Sequence, residues 1–92
     1  MTTAIVRIHT IINEKGLHAR ASARLVETVE AHDADATIRR DGLDAAGDSI
    51  MGLLMLAASK GTTIEVETTG PAATALADAL EMLIADRFGE GE

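Results

Sequence analysis

Residues 36–69 read ATIRRDGLDAAGDSIMGLLMLAASKGTTIEVETT and carry the clearest structural signals of the chain. Asp41-Gly42 is a tight-turn dipeptide between two short β-forming runs, so the first part predicts a hairpin. Ser49 is a favourable N-cap, and Lys60-Gly61 marks the exit from the helix that follows. The last part alternates apolar and acidic side chains, as a half-buried antiparallel strand does. The predicted elements are strand, strand, helix and strand at Ala36–Arg40, Leu43–Ala46, Ser49–Ala58 and Thr62–Thr69.

The segments on either side extend this pattern. Residues 4–11 are rich in β-branched side chains and predict a strand in which Arg7 and His9 share one side. Helical spacing of apolar residues predicts a helix over His18–Ala31. Pro71 suits the first turn of a last helix that ends near Phe88. This helix has a predicted buried stripe formed by Leu76, Leu80, Leu83, Ile84 and Phe88.

The resulting order is βαββαβα. It predicts a two-layer α+β domain in which a four-stranded antiparallel sheet is covered on one face by three helices. We assign residues 1–88 to this single domain, because no linker or internal repeat divides them. Residues 89–92, Gly-Glu-Gly-Glu, are predicted to form a flexible C-terminal tail.

The composition excludes several classes of function. The 92 residues include no cysteine, so disulfides and thiolate metal sites are excluded. One aromatic side chain and a net charge of −7 argue against a nucleic-acid partner. The longest apolar stretch, Ile50–Ala58, is too short to span a bilayer, and residues 1–4 lack the features of a signal peptide. We therefore expect a cytoplasmic protein that does not insert into membranes.

The segment Gly16-Leu17-His18-Ala19-Arg20-Ala21-Ser22 places a histidine where a loop becomes a helix. The first amides of a helix lack internal partners and favour an anion. Neutral imidazole is a competent nucleophile, and the Arg20 guanidinium can bind phosphate oxygens in a fork. Together these groups form a plausible acceptor for a phosphoryl group. The alternative interpretation is that His18 only precedes or caps the helix and that Lys15, Arg20 and Arg24 form a solvated cationic face.

The same seven residues closely resemble the active-site motif of HPr, the histidine-containing phosphocarrier family of the phosphoenolpyruvate-dependent phosphotransferase system. Ser49-Ile50-Met51-Gly52-Leu53-Leu54 resembles the regulatory serine motif of this family, and the element order matches its open-faced sandwich. The resemblance covers about residues 4–88. Many relatives carry proline after the arginine, whereas this chain has Ala21, a form similar to the nitrogen-related or regulatory branch.

The resemblance implies a function. Enzyme I would phosphorylate His18 on Nδ1, Arg20 would steady the phosphate, and an enzyme IIA would receive it. No metal or other cofactor is implied. Ser49 would be a regulatory phosphorylation site for an HPr kinase/phosphorylase. The residues expected to bind phosphate or to form the docking surface are Gly16, Ala19, Arg24, Ile50, Met51 and Leu54.

Three other interpretations remain open. A non-catalytic regulatory binding protein of the same fold would act through Ser49 alone, and a small ligand-binding domain would need a polar pocket. A metal-binding module would have to use His9, His18 and His32, whose spacing matches no metal motif. Met51 and Leu54 are expected to face solvent, while Leu53 and Leu56 face the core. We expect a monomer, because the docking surface must stay free.

Overall fold

A computed structural model describes residues 4–91; residues 1–3 of the predicted domain and Glu92 of the predicted tail lie outside the described part. The predicted order of elements is confirmed. The chain contains four strands, three α-helices and a final 3₁₀ helix, which are β1 Ile5–Thr10, α1 Ala19–Glu30, β2 Asp35–Arg40, β3 Leu43–Ala46, α2 Ile50–Met55, β4 Thr63–Thr69, α3 Ala73–Ala85 and the 3₁₀ helix Arg87–Gly89.

The four strands form one antiparallel sheet in the order β1-β4-β2-β3. The last strand therefore lies between the first two, with Val66 opposite both Arg7 of β1 and Ile38 of β2. The connection through α1 and the connection through α2 lie on the same face of the sheet, because α1 packs against α2. This arrangement brings the loop before α1 beside the segment that follows α2.

The core lies between the sheet and the helices and is almost entirely aliphatic. Ile64 and Val66 of β4 are buried while their neighbours in sequence are more exposed, as the alternation predicts. Leu76, Leu80, Ile84 and Phe88 are buried, and Leu83 packs partly against the same cluster. Burial of such side chains contributes about 1.5–3 kcal/mol each, so this aliphatic cluster is the main source of stability.

Two predicted helix boundaries are wrong, and in each case the backbone gives the reason. The second helix ends at Met55 rather than at Ala58, because Ala57 adopts a left-handed conformation with φ of 51°. The last helix starts at Ala73, after a turn that contains Pro71, and it ends at Ala85. Phe88 belongs to the 3₁₀ helix beyond it. The positive φ angle of Phe88, 54°, accompanies a reversal that returns its ring to the core.

The first strand alternates between a partly buried side and an exposed side. Arg7 and His9 share one side, as predicted, and that side faces the helices: Arg7 donates to Asp78 of α3 at 2.8 Å and to Glu81 at 3.2 Å. Val6 and Ile8 are exposed on the open face. At this edge of the sheet, ion pairs between Arg7 and α3 take the place of apolar packing. The β-branched side chains of Val6 and Ile8 therefore do not mark the buried side of the strand.

Candidate functional site

The loop before α1 is fixed by close backbone contact with the segment that follows α2. Gly16 has a φ of 63°, and a Cβ atom at this position would lie 2.4 Å from the carbonyl oxygen of Ala58. The next amide, that of Leu17, donates to the same carbonyl at 2.8 Å. Only glycine tolerates both this conformation and this approach. Gly16 therefore positions His18 through the backbone.

His18 occupies the N-cap of α1 in an extended conformation, and its side chain makes no cap hydrogen bond. Its carbonyl accepts the first helical hydrogen bond, from the amide of Ser22 at 2.9 Å. The amides that precede Ser22 in the first turn have no carbonyl partner inside the helix. The imidazole is 27% exposed, so it lies at the surface beside amides that can bind an anion.

A short hydrogen-bonded chain holds the imidazole from the other side. The Nε2 atom of His18 contacts a carboxylate oxygen of Glu90, a residue of the predicted tail. The side-chain amide of Asn13 donates to the second Glu90 oxygen at 3.0 Å and to the carbonyl of Gly16 at 2.8 Å. Asn13 is fully buried. Flexibility of residues 89–92 stays a prediction, but Glu90 is placed here as part of the site.

The ionisation of Glu90 follows from these contacts. Burial opposes the charged form, but hydrogen bonds from His18 and Asn13 outweigh it and hold the pKa of the Glu90 carboxyl below its usual value. The carboxylate is therefore ionised at neutral pH and can only accept hydrogen bonds. It follows that Nε2 of His18 donates in this contact.

Three cations surround a pocket of about 200 Å³ at the start of α1. Lys15, Arg20 and Arg24 line it together with His18 and Glu90. None of the three cations forms an ion pair with any residue between 4 and 91. By contrast, Arg7 and Arg39 are paired with carboxylates. The predicted cluster is thus brought together around the histidine, with its charges available to a phosphate.

The other residues of the first turn divide between surface and core. Ala19 is exposed beside the histidine, whereas Ala21 is fully buried. The hydroxyl of buried Ser22 donates to the carbonyl of Leu17 at 3.2 Å and closes the turn that carries His18. The alanine that departs from the common pattern of the HPr motif therefore packs in the core, and its backbone amide is one of those in the first turn.

The second helix, α2, packs against α1 and presents an apolar surface. Met51 is 70% exposed and Ile50 is exposed to a lesser degree, while Leu54 is partly buried. Leu53 and Leu56 are buried, as predicted. Met55, 75% exposed, extends the surface and was not singled out from the sequence. We call Ile50, Met51, Leu54 and Met55 the α2 patch.

Ser49 caps α2. Its hydroxyl oxygen accepts from the amide of Gly52 at 3.1 Å, and its own backbone is extended. The side chain is neither fully buried nor fully exposed. The N-cap interpretation is therefore confirmed by the geometry.

The remaining histidines lie apart from this site. His32 contacts the carbonyl oxygen of Thr28 through Nδ1 at 2.7 Å, and the Nε2 atom of His9 is buried without a partner. Burial is the main cause that lowers the pKa of His9. Among residues 4–91 no three potential ligands cluster to hold a metal ion. Likewise, none of the helices in this range is long and apolar enough to cross a membrane.

Asn13 and Glu90 are the functional-site residues that sequence reasoning missed. They are separated by 77 positions, and Glu90 lies in a Gly-Glu-Gly-Glu segment that resembles an unstructured end. The contact is created only because the 3₁₀ helix turns back across the start of α1. The one local signal was the polar run Asn13-Glu14-Lys15 immediately before the motif.

Comparison with known proteins agrees with this geometry. The family described as PTS HPr component phosphorylation site matches residues 5–86. The chain is 49% identical to the phosphocarrier protein HPr of Cupriavidus necator over 83 residues, which cover 90% of this chain and 93% of that protein. It is 45% identical over 62 residues to the phosphocarrier protein NPr of Escherichia coli, covering 66% and 69% of the two chains.

The fold comparison gives the same result. The crystal structure of an HPr from Thermoanaerobacter tengcongensis superposes with a TM-score of 0.89 at 30% identity, and the match covers 94% of this chain and 97% of that one. The sheet, the three helices and the segment from Gly16 to Ser22 thus occur within a family match that spans most of the chain. The chain belongs to the HPr family of phosphocarrier proteins of the phosphotransferase system.

Proposed function

We propose that His18 is the phosphoryl acceptor of this phosphocarrier, that enzyme I is the donor and that an enzyme IIA is the recipient. The observation that carries the proposal is the position of His18, an accessible imidazole at the N-cap of α1. A nucleophile there delivers the transferred group directly to free amides and to the positive end of the helix dipole. A cap histidine with no such role would not need the surrounding cations, which form no ion pair within residues 4–91.

Arg20 binds the phosphate after transfer, and Arg24 and Lys15 add positive charge around it. All three line the pocket next to His18. Phosphoryl transfer depends mainly on positioning and on stabilisation of negative charge, which amides and guanidinium groups supply. Because the imidazole is partly exposed, the bound group stays accessible to the next acceptor. This arrangement supports a relay rather than a stable phosphate store.

The docking surface for enzyme I and enzyme IIA combines the α2 patch with the cationic rim of Arg20 and Arg24. Exposed apolar side chains beside a reactive group are typical of partner surfaces, and methionine adapts to more than one partner. Charge speeds encounter, while a small apolar centre keeps complexes short-lived. The free protein is a cytoplasmic monomer that binds neither nucleic acid nor membranes.

Ser49 is the proposed regulatory position. A kinase/phosphorylase of the HPr type would add a phosphate at the start of α2, next to Ile50 and Met51. A helix start tolerates this charge, but the same charge lies within the docking surface and repels acidic partner surfaces. The second candidate function, a non-catalytic regulator that acts through Ser49 alone, is supported by the cap position of Ser49 but leaves the site around His18 without a role.

The deciding experiment is incubation with phosphoenolpyruvate and enzyme I, followed by intact mass and phosphorus NMR. We expect one acid-labile phosphate on the native protein and none on His18→Ala. His32→Ala is the matched control, since it removes another surface histidine and should keep full phosphorylation. A native protein that stays unmodified, with enzyme I shown to be active on another acceptor, would exclude the carrier function and favour the Ser49 regulator.

A further inference from the structure

The contact between His18 and Glu90 assigns different roles to the two ring nitrogens. Nε2 lies against the Glu90 carboxylate, whereas Nδ1 has no hydrogen-bond partner among the described residues. Glu90 is itself held by the buried amide of Asn13, and its side chain is only 12% exposed. The carboxylate is therefore held against the ring by contacts on both of its oxygens.

We propose that Glu90 is a positioning residue that keeps the Nε2–H tautomer of His18 and leaves the Nδ1 lone pair as the nucleophile; this inference rests on the proposed function of His18. A neutral imidazole carries its one proton on either nitrogen, and a hydrogen bond at one nitrogen selects the tautomer. An ionised carboxylate at Nε2 requires the proton there. The same bond restricts rotation of the ring.

The transfer step balances without moving a proton. The Nδ1 lone pair forms a bond to phosphorus, the bond between phosphorus and the donor group of enzyme I breaks, and its electron pair stays on that donor group. The ring then gains positive character, with the proton still on Nε2. Glu90 stabilises this charge because it already accepts that proton in a hydrogen bond. In the reverse direction the same carboxylate holds the ring in place while the phosphoryl group leaves.

The link through Asn13 connects this role to the loop. One Asn13 amide spans the Glu90 carboxylate and the carbonyl of Gly16, the glycine that positions the motif. Displacement of Glu90 would therefore release the His18 ring and would also remove one hydrogen bond of Asn13, the loop residue that contacts Gly16. Glu30 provides a natural control, since it is an exposed glutamate at the opposite end of α1 and does not line this pocket.

The test compares Glu90→Ala, Glu90→Gln and Glu30→Gln with the native chain. Nitrogen NMR of the His18 ring, at about pH 8.5 where an ordinary imidazole is neutral, reports the tautomer. Rapid-quench transfer from phosphorylated enzyme I reports the rate.

We expect Glu90→Ala to raise the Nδ1–H fraction and to slow acceptance about tenfold, the equivalent of one charge-assisted hydrogen bond. Glu90→Gln keeps an acceptor oxygen, so the loss should be about threefold. Glu30→Gln should change neither readout.

The outcomes separate this inference from the function on which it rests. A native protein that accepts no phosphate contradicts the proposed function itself. A native protein phosphorylated on His18, with Glu90→Ala unchanged in tautomer or in rate, overturns the role of Glu90 and leaves the function intact. Phosphate found on Nε2 also overturns it, because that atom would have to be free. Circular dichroism of each variant verifies folding, and partial recovery in Glu90→Gln separates positioning from a general loss of structure.

Discussion

The starts of α1 and α2 differ in how their free amides are used. At α2, the hydroxyl of Ser49 accepts from the amide of Gly52, so the helix caps itself. At α1, the cap residue His18 leaves the first amides unbonded by its side chain and instead contacts Glu90. Lys15, Arg20 and Arg24 surround the α1 start. One helix start is therefore satisfied by its own sequence, while the other is kept available for an anion at some cost in local stability.

The largest expected effect is on phosphoryl acceptance at the α1 start. Replacement of Arg20 by alanine should slow transfer from enzyme I about tenfold to a hundredfold, since one or two charge-assisted bonds to phosphate are lost. Arg20→Lys should recover part of the rate, because it restores the charge without the fork. Rapid-quench kinetics measures both. Equal rates for Arg20→Ala and the native chain would show that the backbone amides of α1 are enough to bind the phosphoryl group.

A charge at the α2 start should produce the next effect. Ser49→Asp introduces a carboxylate beside the α2 patch, and we expect transfer from enzyme I to slow about tenfold through repulsion at the docking surface. Ser49→Ala, which adds no charge, should transfer at the native rate. A fall of equal size in both variants would indicate that the cap, and not the charge, affects docking.

For stability, we expect a larger effect at the α2 start than at the α1 start. Ser49→Ala removes a cap hydrogen bond and should lower the free energy of unfolding by about 1 kcal/mol. His18→Ala removes a side chain with no cap bond, so we expect less than about half of that loss. Urea denaturation at neutral pH compares the two. A larger loss for His18→Ala would mean that the contact with Glu90 stabilises the fold more than the Ser49 cap does.

The pH dependence of stability tests whether Glu90 is charged in the site. Its pKa is lower in the folded protein than its usual value, so its contribution to stability is present above the usual pKa of a glutamate and is lost as pH falls through the lowered value. The urea midpoint of Glu90→Gln should therefore lie below that of the native protein near neutral pH. The two midpoints should converge in acid. A constant difference across this range would contradict a charged Glu90 in the site.

Salt should have the smallest effect. Transfer from enzyme I should slow as ionic strength rises, because the cationic rim of Arg20 and Arg24 is screened. Arg24→Gln should flatten this dependence while keeping Arg20 at the pocket. The measurement is the transfer rate between about 10 mM and about 300 mM salt, a range over which screening changes strongly. Native kinetics that do not vary with salt would remove the steering role of the rim.

Most of the architecture was predictable because each strand and helix has a pattern of apolar and polar residues that continues over several positions. The Asp41-Gly42 turn, the alternation in β4 and the stripe of α3 each identify an element from neighbours in sequence. Boundaries were less predictable. The left-handed turn at Ala57, which has no glycine, carries no local signal and shortens α2. The sequence also did not show which side of β1 faces the helices, since Arg7 lies on that side through ion pairs with α3.

The sequence by itself determined the fold class, the helix start at His18 and the nearby cations, because these depend on spacing within a few residues. Only the tertiary structure decided that Asn13 holds Glu90 against the imidazole and that Lys15, Arg20 and Arg24 line one pocket with it. The physical reason is that a contact across 72 positions depends on how the sheet and helices pack. No local pattern in Gly-Glu-Gly-Glu distinguishes a solvated end from a carboxylate held against a reactive ring.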